Sequence, residues 1–421
     1  MTSSLGRRTE GADVNLTSGP SRITLPPAPP KPPSRRTPSP RIARLAADCS
    51  ATEFWETVAR RTPLVEEAGD GERRVTFLWR SIAATAVHVT VNRVTYDLDD
   101  SRMERVPGTD VWYAAFRLPA DWRGSYTVLE TDAAGSSPLS GTESRWAMRT
   151  IREEGSTDPR NPRRIRTHSG RLASVAELDT ASPRAAPAHG PSPRAQRLVT
   201  PTGRPVWLSP PPDADGTPRP LVVVLDGEVW HASGYAAASA DRLAESGTIR
   251  APYLALVETG GTSPRRMADL SIDGAMSEEV VTTLLPWLRD RVPVSADPRD
   301  VVLTGESLGG LTALKTAFDH PESVGAALSQ SASLWQADLL DRAATAGPVR
   351  LFLTVGVFEP TLLEPHRRLR EALAERPPTM AYREFQGGHD MAWWRGLWED
   401  GITDLLGGGR PSAAIQRSPQ R

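Results

Sequence analysis

Apolar and polar residues alternate from about residue 54 to 150 of this chain. In its second half they segregate into short apolar blocks separated by helical patterns. Val75-Thr76-Phe77-Leu78-Trp79 and Val87-His88-Val89-Thr90-Val91 are β-branched and aromatic with a two-residue period, which predicts half-buried strands. Val111 to Leu118 follows a Gly108-Thr109-Asp110 turn signal, and Trp122 to Leu129 starts another strand. Short strands at this spacing predict a small antiparallel, immunoglobulin-like sandwich over 51–155.

From 196 to 408 the pattern changes. Leu221 to Leu225, Tyr253 to Val257, Val301 to Thr304 and Leu351 to Val355 are near-continuous apolar runs, and Met380 to Phe385 reads as a final short strand. Between them, Val280, Val281, Leu284, Leu285 and Leu288 recur at helical spacing, as do Leu362, Leu363, His366, Leu369 and Leu373; a closing helix is predicted over Trp394 to Leu406. Strands apolar at every position have both faces buried. The alternation therefore predicts a mostly parallel sheet with helices on both faces.

Composition sets the boundaries. Residues 1–50 are rich in Pro, Arg and Ser, and Pro26-Pro27-Ala28-Pro29-Pro30-Lys31-Pro32-Pro33 has little to bury, so a disordered tail is expected. Pro-punctuated residues 156–195 are expected to be a linker, and 409–421 a second disordered tail. The net charge of -1 over 421 residues points to neither nucleic acid nor a membrane as partner. A single cysteine, Cys49, cannot form an intrachain disulfide and has no metal-ligand companion. Met1 to Arg8 lacks the apolar stretch of a secretory signal, and no apolar run reaches spanning length, so a soluble cytoplasmic protein is expected. Oligomeric state is not legible.

The chemistry centres on Gly305-Glu306-Ser307-Leu308-Gly309, placed between an apolar strand and a helical pattern. That is a strand, a sharp turn and a helix with serine at the apex, the signature of an exposed nucleophile. Serine needs a base. His389 in Gly387-Gly388-His389-Asp390 follows the last strand, and its glycines let the loop carry an imidazole over the sheet edge. An acid is expected after a strand between serine and histidine; Glu359 fits, with Asp390 the rival and Asp338 and Asp341 weaker candidates. Backbone N–H groups of Leu308 and Gly227 are the expected oxyanion donors. Trp230, Trp335, Trp393 and Trp394 lie on predicted active-edge loops and would suit an aromatic ligand, although tryptophan more often serves a core. Arg265-Arg266 would suit an anionic ligand.

These motifs, together with Trp122-Arg123-Gly124-Ser125-Tyr126, Asp158-Pro159-Arg160-Asn161-Pro162, Leu225-Asp226-Gly227-Glu228-Val229-Trp230 and Leu328-Ser329-Gln330-Ser331, make the chain similar to the enterochelin (ferric enterobactin) esterases, in the esterase D branch of α/β hydrolases. The resemblance spans about Phe54 to Leu406; the Pro/Arg leader lies outside it. It implies an α/β hydrolase domain behind the sandwich, and cytoplasmic hydrolysis of the trilactone of a ferric catecholate siderophore, releasing iron. It carries the nucleophile and base to Ser307 and His389, the acid to Glu359, and a basic substrate pocket to the Arg265-Arg266 region, where composition and spacing depart from the family pattern. No cofactor or protein-bound metal is implied, since iron arrives inside the substrate. A general carboxylesterase, an esterase for a different siderophore, and a non-catalytic ferric-siderophore binder are the rival readings.

Overall fold

The computed structural model describes residues 31–48, 50–58, 62–132, 144–181, 190–261, 263–374 and 380–407. Cys49, most of the N-terminal tail and the C-terminal tail at 409–421 lie outside these residues. No helix among the described residues is long and apolar enough to cross a membrane.

The first domain is a sandwich of two four-stranded antiparallel sheets. Strands β1 (Leu64–Gly69), β2 (Glu72–Arg80), β4 (Glu104–Arg105) and β5 (Val111–Pro119) form one sheet in the order β1-β2-β5-β4. Strands β3 (Ala84–Val91), β6 (Arg123–Asp132), β7 (Arg164–Arg166) and β8 (Leu172–Glu177) form the other, in the order β3-β6-β8-β7. Val75, Phe77, Val87, Val89, Phe116, Trp122 and Tyr126 fill the space between them, as the two-residue period requires. Helices α1 (Pro40–Asp48), α2 (Ala51–Val58), α3 (Leu98–Ser101) and α4 (Ser144–Glu154) decorate the sandwich.

Two expectations change here. Residues 31–48 are not a free tail: Ile42 and Leu45 join Phe54, Trp55 and Val58 in a buried cluster on the first sheet, and the Thr37 N–H donates to the Ala115 carbonyl at 3.0 Å. The expected linker also contains β7 and β8. These strands are short and weakly apolar, so their stability comes from pairing, β8 with β6 and β7 with β8, rather than from local propensity.

The second domain is one eight-stranded sheet. Its strands are β9 (Gln196–Val199), β10 (Pro205–Ser209), β11 (Leu221–Val224), β12 (Tyr253–Val257), β13 (Val301–Glu306), β14 (Ala326–Gln330), β15 (Arg350–Gly356) and β16 (Met380–Phe385), in the order β16-β15-β14-β13-β11-β12-β10-β9. All pairs from β12 through β11 to β16 are parallel; β9 and β10 are antiparallel. Helices α5 (Gly227–Ser233), α6 (Tyr235–Glu245) and α13 (Met391–Leu406) cover one face, and α7 (Pro264–Leu270), α8 (Met276–Glu279), α9 (Leu285–Arg289), α10 (Leu308–Asp319), α11 (Leu340–Thr345) and α12 (Pro360–Leu373) the other. Leu221 and Val223 face one core and Val222 and Val224 the other, which is why that strand is apolar at every position. Val280–Leu284 is a π-helical turn joining α8 to α9. Pro286 follows it, and a proline without an N–H leaves no donor for the preceding turn.

The sandwich is docked on the helical face that carries α13. Ile165, Ala173 and Val175 of β7 and β8 share a buried cluster with Phe385, Trp393 and Trp394.

Candidate active site

Strand β13 ends at Glu306, and Ser307 adopts φ 59°, ψ -118° before α10 begins at Leu308. That backbone is strained for serine and persists only where its surroundings hold it. The Ser307 N–H donates to the Gln330 carbonyl at 2.9 Å, and the Ser307 carbonyl accepts from the Ser333 N–H at 2.9 Å. A Cβ on Gly305 would lie 2.5 Å from the Gly309 carbonyl carbon, so the first and last glycines of the motif are what let strand and helix meet. The Ser307 hydroxyl lies 3.3 Å from that of Ser333.

Leu308 and Gly227 each occupy the first position of a helix, α10 and α5. Their N–H groups have no intrahelical acceptor and sit at the positive end of a helix dipole. Gly227 follows Asp226, itself at φ 54°. A Cβ there would fall 2.2 Å from the Leu256 carbonyl carbon, so the position admits only glycine.

His389 and Glu359 come together. The His389 Nδ1 lies 2.6 Å from the Glu359 Oε1. The other carboxylate oxygen accepts from the Ser331 hydroxyl and the Gly356 N–H, each at 2.7 Å. Burial alone would raise the Glu359 pKa, but His389 and these donors hold it below the ordinary carboxylate value. Burial lowers the His389 pKa; Glu359 opposes the shift, Arg93 and His168 add to it, and the net value lies below the ordinary 6.5. Asp390, the rival acid, is engaged elsewhere: it caps α13 by accepting from the Ala392 N–H at 2.9 Å and accepts from the Ser125 N–H at 2.5 Å. Asp338 lies beside α11, where it accepts from the Leu340 N–H at 3.2 Å, and Asp341 lies in that helix.

The sandwich domain reaches this loop repeatedly. The Asn92 amide donates to the His389 carbonyl at 2.9 Å, the Arg123 N–H donates to the Gln386 carbonyl at 3.1 Å, and the Trp393 indole donates to the Arg123 carbonyl at 3.0 Å. The stem of Arg93 lies against Gly388, where a Cβ would come within 2.2 Å of it. Arg93 is half-buried, and none of the ion pairs among the described residues involves it. No motif in the sequence singles out Asn92 or Arg93; only the docking of β3's turn on the last loop does so.

Behind the elbow lies a buried charged cluster. Asp226 accepts two bonds from the Arg266 guanidinium, at 2.6 and 2.7 Å, and another from the Thr259 hydroxyl. Burial pushes the Asp226 pKa up, but Arg266 and His168 outweigh it and hold it down. Glu306 accepts from the Trp230 indole at 3.2 Å. His168, at the tip of the β7–β8 hairpin, places its Nδ1 3.7 Å from Glu306 and its Nε2 3.8 Å from Asp226. His168, Asp226 and Glu306 each bring one ligand atom within 4.8 Å of the others, a spacing compatible with a metal ion. Arg266 already donates to both Asp226 oxygens and places a cation beside this cluster.

The expected substrate residues divide. Arg266 is 7 % exposed and committed to Asp226, so it is not a substrate group. Trp230 and Trp394 are each 1 % exposed. The first serves Glu306, and the second donates to the Ser331 hydroxyl at 3.0 Å and packs edge-on against His389. Trp393 is likewise buried. These indoles build the site's walls from behind, because a ring that large is most cheaply placed out of water. Trp335 is half-buried two residues beyond Ser333, and Arg265 is exposed with a 3.5 Å contact to Asp269; these two remain accessible.

Residues 74–187 match the family model "Enterochelin esterase, N-terminal", and 200–404 match "Putative esterase". The chain is 31% identical to an iron(III) enterobactin esterase of Dickeya dadantii, covering 90% of this chain and 98% of that one. It is 32% identical to an iron(III) salmochelin esterase of Escherichia coli, over 85% of this chain and 94% of the relative. Among solved structures, the enterobactin esterase of Shigella flexneri, crystallised in the presence of enterobactin, superposes with a TM-score of 0.71 at 26% identity, covering 85% of this chain and 98% of that one.

Proposed function

The chain belongs to the family of iron(III) enterobactin esterases, and on that premise we propose that it hydrolyses the ester bonds of a ferric catecholate siderophore through Ser307. It is a carboxylic ester hydrolase. The Ser307 hydroxyl attacks a lactone carbonyl and passes its proton to His389 Nε2, the nitrogen left free by the Glu359 contact. The N–H groups of Leu308 and Gly227 take the negative charge of the tetrahedral intermediate. His389 then protonates the departing serine hydroxyl of the siderophore. Water, deprotonated by the same imidazole, cleaves the acyl-enzyme. Glu359 fixes the Nδ1–H tautomer and stabilises the imidazolium.

The observation that carries this reading is the 2.6 Å His389–Glu359 pair, set at the same sheet edge as the serine elbow. Iron enters as cargo, and no step above calls on a cofactor. Arg93, half-buried without a carboxylate partner beside His389, and exposed Arg265 supply the positive charge an anionic ferric complex requires. The proposed compartment is the cytoplasm. Incubation with ferric enterobactin, ferric salmochelin and simple aryl esters, followed by chromatography of the products, tests the assignment. Linear dihydroxybenzoylserine products are expected from the wild type and none from Ser307→Ala. Equal product from that variant would remove Ser307 from the mechanism, and turnover of aryl esters alone would move the enzyme to the general carboxylesterases.

A further inference from the structure

The charged cluster behind the elbow is not balanced by the catalytic domain alone. Asp226 and Glu306 are both essentially out of water, and Arg266 supplies one positive charge. An uncompensated buried carboxylate next to the nucleophile is costly. Burial raises the Glu306 pKa and Asp226 adds to that, while His168 and Arg266 pull it down; the group that faces both carboxylates from the other domain is His168. The β7–β8 turn is firmly built: the Thr167 N–H donates to the Arg171 carbonyl at 2.7 Å, the Gly170 N–H donates to the Thr167 carbonyl at 2.8 Å, and Gly170 takes φ 80°. Its tip carries His168 to within ion-pair distance of both carboxylates, with neither ring nitrogen hydrogen-bonded.

The two carboxylates belong to the residues immediately before Gly227 and before Ser307. Asp226 and Ser307 both hold backbones at positive φ, 54° and 59°. A cation drawn to both acids therefore acts on both strained turns, and each turn ends in one of the amides assigned to the oxyanion.

We infer that His168 is a positioning residue of the esterase: as an imidazolium it ties Asp226 to Glu306 and so sets the spacing of the Gly227 and Leu308 amides. The inference rests on the reading of the active site given above. The groups facing His168 are Asp226 at the end of β11, Glu306 at the end of β13, Arg266 on α7 and His389 in the last loop. Burial disfavours its charged form, Arg266 does likewise, and the two carboxylates outweigh them, leaving its pKa above 6.5. The sign follows. A raised histidine pKa keeps the imidazolium below that value, and the tie is lost as pH rises through it. The sandwich domain thereby supplies a positioning residue to the catalytic domain.

The test is the pH dependence of kcat and KM for 4-nitrophenyl butyrate with the full chain, in wild type, His168→Gln and His168→Lys. His168→Gln is expected to lower kcat about 10- to 100-fold, the range of a misplaced or lost oxyanion donor, with KM changed by less than about threefold. It should also abolish the alkaline decline of kcat. His168→Lys, charged to higher pH, should recover part of kcat and move that decline upward. A His168→Gln enzyme with wild-type kcat, or with its alkaline limb unchanged, overturns the inference. If the variants do not fold, imidazole-nitrogen NMR of the wild type decides: His168 charged at pH 6.5 supports the tie, and His168 neutral there overturns it. That titration needs no turnover, so it stands even if the wild type hydrolyses no ester, which would instead sink the esterase reading.

Discussion

Replacing Glu359 by Gln removes a charge without changing shape, and the surrounding donors dictate what the amide must do. One carboxylate oxygen accepts from the Gly356 N–H and the Ser331 hydroxyl at 2.7 Å each. The Gln carbonyl is required at that position. The opposite orientation would aim an NH2 at the Gly356 N–H and leave a buried donor unsatisfied, at a cost of roughly 1–3 kcal/mol. The amide NH2 then faces His389 Nδ1, which must accept. The ring proton moves to Nε2, the nitrogen that has to receive the Ser307 proton. Forcing the wrong tautomer in a serine–histidine–acid site costs about 10,000-fold in kcat where it has been isolated. We expect roughly 1,000- to 10,000-fold here, or about 4–5.5 kcal/mol of transition-state stabilisation. Steady-state hydrolysis of 4-nitrophenyl butyrate at pH 8 measures it, with urea unfolding to show that the fold persists. Asp390→Asn is the control. One of its oxygens caps α13 through the Ala392 N–H and the other accepts from the Ser125 N–H, so the Asn NH2 must face one of these donors; the change should cost roughly 1–3 kcal/mol of stability and less than about tenfold in kcat. A Glu359→Gln enzyme within tenfold of wild type, or an Asp390→Asn enzyme that loses more, would refute the argument.

Two further outcomes follow from the charges. Arg266→Met leaves the fully buried Asp226 without its bidentate partner; it should lose about 3–5 kcal/mol of stability in urea, and an unchanged midpoint would show that the pair carries no such weight. His389 has its pKa lowered, first by burial, so the neutral base survives into acid. The low-pH limb of kcat/KM should have its midpoint below 6.5, and a midpoint at or above that value contradicts the environment described for the imidazole.

The catalytic domain was legible because its signals are local. Four apolar runs and the short segment Met380–Phe385 became β11 to β16 apart from β14, whose Ala-rich segment Ala326–Gln330 carries too little apolar bulk to stand out. The elbow was legible for the same reason: Gly305 and Gly309 must be small for strand and helix to touch, and a five-residue window contains both. The β7 and β8 strands were hidden because each is short with a single β-branched residue, Ile165 and Val175; β6 supplies the pairing for β8, and β8 for β7. Helix α1 was hidden by the prolines before it, while Ile42 and Leu45 find their burial on a sheet that begins some twenty residues later.

What the sequence determined by itself was the order of a serine, an acid and a histidine on a doubly covered sheet, because each lies beside the strand that carries it. What only the tertiary structure decided was which charged and aromatic groups face that site. Arg266 was expected to meet substrate and instead neutralises Asp226, forty residues away in sequence. Trp230 and Trp394 were candidates for an aromatic ligand's platform and are buried behind the catalytic residues. Arg93 and His168 arrive from the other domain, where no pattern marks them. The physical reason is that a guanidinium or imidazole acquires its role from the charge within a few ångströms of it, and that neighbour is set by how the two domains dock.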